Sequence, residues 1–240
     1  MPTLLDVRDR LIVALDVSTA QEAQRLVQQV GEAAGFYKVG LQLFTAEGPG
    51  IVRELVSSGR KVFLDLKLHD IPNTVSHAVQ SAADLGVSML TVHASGGAGM
   101  LKAAVEAAGR RLSLLAVTVL TSLNDEDVQE IGYSGTTLDQ TLRAAALARS
   151  AGCDAVVTSP REVSALRKML GEGFGIVVPG VRPRGSDRND QARIATPAQT
   201  IEAGASHIVV GRPITQAADP AKAAEAILGE ISQVLAVKTA

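Results

Sequence analysis

Tryptophan is absent from this chain, and aromatic residues make up only 2% of it. Any core must therefore be aliphatic. A lone cysteine, Cys153, rules out an internal disulfide and suits a cytoplasmic setting. It sits in Ala151-Gly152-Cys153-Asp154, at a helix-to-strand junction, and reads as a small core residue rather than a nucleophile. A formal net charge of −2 gives no reason to expect a nucleic-acid partner. Long apolar runs are missing too. The longest, Leu112 to Leu120, is far too short to span a bilayer, and Met1 to Arg10 carries charges where a signal peptide would be apolar. These absences point to a soluble protein with no membrane partner.

What is present is an alternation. The 240 residues are 46% hydrophobic and 20% charged, enough for one sizeable core. Short β-branched runs predict strands at Leu11–Asp16, Phe36–Gly40, Lys61–Lys67, Ser88–Ala94, Leu112–Leu120, Ala155–Ser159, Gly175–Pro179 and Ser206–Gly211. Amphipathic, alanine-rich segments predict helices near Thr19–Val30, Thr45–Ser58, Asn73–Leu85, Ala98–Ala108, Leu138–Ser150, Glu162–Leu170, Pro197–Ala203 and Asp219–Val237. Alternating strands and helices imply right-handed crossovers and a parallel sheet. Eight such pairs at this length fit a closed (β/α)8, or TIM, barrel of the α/β class in a single domain spanning 1–240. An open doubly wound sheet is the alternative, but Asp16-Val17-Ser18-Thr19 follows the first strand where a glycine-rich fingerprint would stand.

The most unusual stretch is Asp65-Leu66-Lys67-Leu68-His69-Asp70-Ile71-Pro72-Asn73-Thr74. On a strand Asp65 and Lys67 share one face, while Leu64, Leu66 and Leu68 share the other. Pro72 holds Ile71 extended and starts a helix. Two carboxylates and an ammonium on an otherwise apolar strand read either as an ion pair that fixes local geometry or as a charged catalytic array.

Barrel chemistry gathers where strands end. Those ends carry Asp16, Lys38, Asp65, Lys67, Asp70, His93, Thr121, Ser122, Thr158, Pro179 and Gly211-Arg212. The opposite turns carry ordinary residues such as Gly35, Gly59, Gly86 and Gly152. Residues 180–196 lack periodicity and exceed the usual loop length, which suggests a solvated loop or a mobile lid carrying Arg182, Gln191 and Arg193. With Arg212, whose planar fork suits phosphate, the rim after strands seven and eight predicts an anionic, phosphorylated ligand. Of the four histidines, His77 falls on a helix face and His207 opens strand eight away from this rim. His69 joins Asp65 and Lys67 only if the strand persists that far, and His93 reads as a wall residue. No His/Cys/carboxylate cluster has metal-ligand spacing, so no metal site is expected.

These residues together resemble the orotidine 5′-phosphate decarboxylase family through nearly the whole chain. The resemblance rests on Leu15-Asp16, Tyr37-Lys38-Val39-Gly40, the Asp65-to-Thr74 signature, Val119-Leu120-Thr121-Ser122, Pro179-Gly180-Val181-Arg182-Pro183, Gln191 and Val210-Gly211-Arg212. It implies conversion of orotidine 5′-monophosphate to UMP and CO2, the last step of UMP synthesis, with no metal or organic cofactor. Lys67 would stabilise and protonate a carbon-6 carbanion, flanked by Asp65 and Asp70. Asp16 and Lys38 would hold ribose hydroxyls, with Lys38 also joining the charged network. Thr121 and Ser122 would hold the pyrimidine edge. Pro179, Arg182, Gln191, Gly211 and Arg212 would form the phosphate grip and lid. The resemblance further implies a homodimer in which Asp70, Ile71 and Thr74 serve the partner's site. A magnesium-dependent decarboxylase or aldolase of 3-keto-hexulose 6-phosphates shares Asp-x-Lys-x-x-Asp and is the nearest rival; a non-catalytic barrel that binds a nucleotide or sugar phosphate as a sensor is a more distant one.

Overall fold

Strand β1 (Leu11–Ala14) pairs in parallel with both β2 (Phe36–Gly40) and β8 (His207–Val210), so the sheet has no edge. Between them β3 (Lys61–Leu68), β4 (Met89–His93), β5 (Ser113–Val117), β6 (Ala155–Val157) and β7 (Gly175–Pro179) follow in chain order and close an eight-stranded parallel barrel. This is a computed structural model, and it describes residues 6–183 and 195–239. Helices α1 (Ala20–Val30), α2 (Leu41–Glu47), α3 (Gly50–Ser57), α4 (Pro72–Asp84), α5 (Gly97–Ala108), α6 (Asp125–Glu130), α7 (Thr137–Ala151), α8 (Val163–Leu170), α9 (Pro197–Glu202), α10 (Arg212–Thr215) and α11 (Pro220–Thr239) connect and surround the strands.

The strand parity divides the apolar residues into two cores. Ile12, Ala14, Phe36, Phe63, Leu115, Val117, Ala155, Val157, Val177 and Val209 fill the barrel interior. The alternate residues, among them Leu11, Val13, Val39, Leu64, Leu90 and Ile208, pack outward against the helices with Leu26, Val79, Leu101 and Ile227. Cys153 belongs to this outer core, where burial and the neighbouring Asp154 carboxylate push its thiol up to about 12. It stays protonated and packs as a small hydrophobe, as its sequence context suggests.

Local chemistry sets the helix starts. Thr19, Asn124, Thr136 and Thr196 each cap a helix through a reciprocal box with Glu22, Asp127, Asp139 and Gln199. Two expectations need correction. The helix read over Thr45–Ser58 is two helices, α2 and α3, parted at Gly48 and Pro49. Gly48 takes a positive φ of 65°, and a residue before proline is steered away from helical geometry. The strand read over Leu112–Leu120 ends at Val117. Val119 and Leu120 leave the sheet to line a side cavity of ≈ 300 Å³ with Leu123, Val128 and Ile131, which is why the run stays apolar.

Candidate active site

Lys38 points from β2 into the barrel mouth, and its Nζ donates to Asp16 Oδ1 at 2.8 Å. The same ammonium lies 3.8 Å from Asp65 Oδ2, which Lys67 Nζ approaches to 2.9 Å. Asp16, Lys38, Asp65 and Lys67 thus alternate in sign along one wall. Lys38 and Asp65 are largely shielded (11% and 13% of the side chain exposed), while Lys67 is more open at 29%. At these distances each ammonium has a carboxylate partner, so the array sets two positive side chains against two negative ones in a partly shielded site.

Two local features allow this geometry. Gly40 stands beside Asp65 in the ladder, and a Cβ on it would come 2.8 Å from Lys38 Nζ and 3.3 Å from Asp16 Oδ1. Its φ of −98° is open to any residue, so a side chain there would strain no backbone but would displace the Lys38 ammonium from its place beside Asp16. The second feature is in β3. Leu64 pairs with Leu90 and Leu68 with Val92, so the ladder slips between them, and Lys67 takes a φ of 52°. A left-handed non-glycine residue costs roughly 1 kcal/mol and is kept only where its surroundings fix it. Lys67 N–H donates to Thr91 Oγ1 at 2.9 Å, and Thr91 Oγ1 donates to Asp65 Oδ1, also at 2.9 Å. Leu66 and Leu68 still pack outward, as alternation predicts.

The array forms one wall of a ≈ 620 Å³ cavity whose other lining includes Gln42, Thr121, Pro179, Gly180, Arg182, Gly211 and Arg212. Arg182 is buried, and its Nε has no hydrogen-bond partner among the described residues. A guanidinium in that state is a ready donor for an anion.

The structure therefore brings Asp16, Lys38, Asp65, Lys67, Thr121, Pro179, Arg182, Gly211 and Arg212 to one cavity. It does not bring Asp70 to Lys67 within one chain. Asp70 accepts from Ile71 N–H at 2.6 Å, and residues 69–74 are exposed, with Ile71 at 66%. Ser122 is exposed and outside the cavity lining, as are Ile71 and Thr74. Gln191 and Arg193, with residues 184–194 of the segment read as a lid, lie outside the described residues. His93 is half-buried at the end of β4, its ring 5.5 Å from that of His69; burial, then His69 and Lys67, lower its pKa. Among the described residues no three His, Cys, Asp or Glu side chains converge in a metal-holding group. Thr91 and Gln42 have no counterpart among the sequence expectations, and Gly40 entered them only within the Tyr37-Lys38-Val39-Gly40 motif. A threonine inside a strand looks like any β-former, and only its place opposite Asp65 and Lys67 marks it.

Comparison with known proteins accords with this geometry. Residues 9–227 match the family model described as orotidine 5′-phosphate decarboxylase/HUMPS family. An orotidine 5′-phosphate decarboxylase of Moorella thermoacetica is 48% identical, over 98% of this chain and 100% of that protein. One from Anaeromyxobacter sp. (strain K) is 52% identical over 91% and 96%. The crystal structure of orotidine 5′-phosphate decarboxylase from Lactobacillus acidophilus superposes with a TM-score of 0.84 at 40% identity, covering 92% of this chain and 98% of that one. The chain belongs to the orotidine 5′-phosphate decarboxylase/HUMPS family.

Proposed function

We propose that this chain is a carboxy-lyase of pyrimidine biosynthesis that converts orotidine 5′-monophosphate to UMP and CO2 without metal or organic cofactor. The observation that carries the reading is the alternating array, with Lys67 Nζ 2.9 Å from Asp65 Oδ2 in a cavity that two arginines, Arg182 and Arg212, also line. Breaking the bond from carbon 6 to the carboxylate leaves its electron pair in an in-plane sp² orbital, which the ring cannot delocalise. Stabilisation must come from charge placed beforehand at that carbon. Lys67 supplies it, then delivers the proton that completes UMP, and solvent later restores that proton. Asp65 holds Lys67 in place and lies beside the departing carboxylate.

Both oxygens of Asp65 are already taken, Oδ1 by Thr91 and Oδ2 by Lys67 and Lys38, and Asp16 Oδ1 is taken by Lys38. The two ammonium groups beside these carboxylates repel a divalent cation, which supports a metal-free reaction over the enediolate chemistry of the magnesium-dependent rival. Asp16 and Lys38 hold the ribose and Thr121 the pyrimidine edge, while Ser122 stands outside the cavity lining. Pro179, Arg182, Gly211, Arg212 and Gln191 hold the phosphate, under a lid spanning about 180–196 in the single domain. Phosphate binding, remote from carbon 6, is realised as stabilisation at the reacting centre.

A homodimer completes the site in this reading. The exposure of Ile71 beside Asp70 and Thr74 supports contribution of those three residues to the partner's cavity, where Asp70 would flank Lys67. Among the described residues no helix is long and apolar enough to cross a membrane.

The test follows loss of substrate absorbance in excess EDTA. Wild type should produce UMP and Lys67→Ala none. Mixed Lys67→Ala and Asp70→Ala subunits should regain activity, because one hybrid site is intact. Turnover that requires magnesium would favour the hexulose-phosphate chemistry, and no turnover by folded protein in either condition would reject the decarboxylase.

A further inference from the structure

We infer that Thr91 is a positioning residue for the reaction, and that its hydroxyl sets both the backbone of Lys67 and the carboxylate of Asp65. Thr91 lies in the middle of β4, wholly buried, on the same face as the interior residue Met89. Across the β3–β4 slip, residues 65–67 stand opposite this single position, because Leu64 pairs with Leu90 and Leu68 pairs with Val92. Three residues of β3 must therefore be accommodated where the ladder offers one. Lys67 N–H turns to the Thr91 hydroxyl at 2.9 Å, which stabilises the left-handed φ of 52°. Left without that acceptor, the amide would be a shielded unsatisfied donor, and such groups are costly enough to move a backbone.

The same oxygen carries one hydrogen, and it is directed to Asp65 Oδ1 at 2.9 Å. Anchored there, the carboxylate presents Oδ2 to Lys67 at 2.9 Å and to Lys38 at 3.8 Å. One hydroxyl thus ties the root of the Lys67 side chain to the carboxylate that holds its tip. Serine keeps that pair of hydrogen bonds. Valine, nearly the same shape and as good a strand former, keeps neither.

This inference rests on Lys67 being the acid of the proposed decarboxylation, so its test has one arm that needs no turnover. Thr91→Val, assayed on protein shown to be folded by its melting transition, should lose kcat on the order of 10- to 100-fold, the scale expected for a catalytic group misplaced by about 1 Å. KM should change less than about threefold, since Thr91 does not line the cavity and the arginines stand after β7 and β8 rather than on β3 or β4. Thr91→Ser should recover most of kcat. In the second arm, backbone amides of residues 65–68 should exchange hydrogen faster in Thr91→Val than in wild type or Thr91→Ser. A Thr91→Val kcat within about threefold of wild type overturns the inference, as does a Thr91→Ser variant as slow as valine. Should wild type show no turnover of orotidine 5′-monophosphate, the functional reading fails. The exchange arm then decides alone, with faster exchange upholding the role of Thr91 and unchanged exchange overturning it.

Discussion

The two ends of the barrel both hold cations and partly shielded polar side chains, yet they treat their most buried titratable groups in opposite ways. At the mouth, Asp16 and Asp65 lie between and beside Lys38 and Lys67, so each ammonium has a carboxylate partner. At the floor, His207 is buried with 7% of its surface exposed, its ring edge-on to Phe36 at 6.2 Å. Burial, with Arg10 and Lys61 against it and only Asp9 opposing them, lowers its pKa to about 4. Its Nδ1 and the Nε of Arg10 have no hydrogen-bond partner among the described residues. The floor thus keeps its histidine neutral and packs it. The mouth maintains four charges and a left-handed lysine, which no packing argument would choose. Polar residues at a barrel end signal chemistry when they converge with opposite sign on strained backbone, and signal stability when they are sealed and uncharged.

The sharpest way to separate the ends is to remove a mouth cation. Arg212→Ala should lower kcat/KM on the order of 10²–10³-fold while leaving the melting temperature nearly unchanged. An unchanged kcat/KM would remove Arg212 from the phosphate site. The floor should show the reverse pattern, an effect on stability without one on rate. Below pH about 6.5 the unfolded chain protonates His207, while the folded protein resists until about pH 4. Folding stability should therefore fall as pH drops through that window, with His207 contributing on the order of 2 kcal/mol of the loss. His207→Gln should flatten the decline between pH 7 and 4.5 and keep near-normal turnover at neutral pH. Identical declines in the two proteins would show that the floor histidine is not held neutral.

Much of this contrast was legible in the sequence. Strands Phe36–Gly40 and Gly175–Pro179 match their periodic runs residue for residue, and the parity of Asp65 and Lys67 against Leu64, Leu66 and Leu68 survives in the fold. The floor position of His207 also follows from its place at the start of β8. What escaped depends on contacts between distant segments. Nothing in Lys67 itself favours a positive φ; the strain is imposed by β4 and by Thr91, 24 residues away. Gly40 reads as a strand terminus, and its need for an empty Cβ position emerges only once Lys38 and Asp16 close over it. The division of the 41–57 region at Gly48-Pro49, by contrast, is written in the sequence as a breaker pair, masked by apolar periodicity that continues across it.

The most direct test of the account is Lys67→Gly, with activity and thermal melting measured on the same preparation. If Lys67 is kept for chemistry at the expense of backbone strain, turnover should vanish. The melting temperature should then equal that of wild type or exceed it by up to about 4 °C, because glycine accepts the 52° φ freely. A melting temperature that collapses together with activity would contradict this, and would make Lys67 a structural ion-pair partner of Asp65.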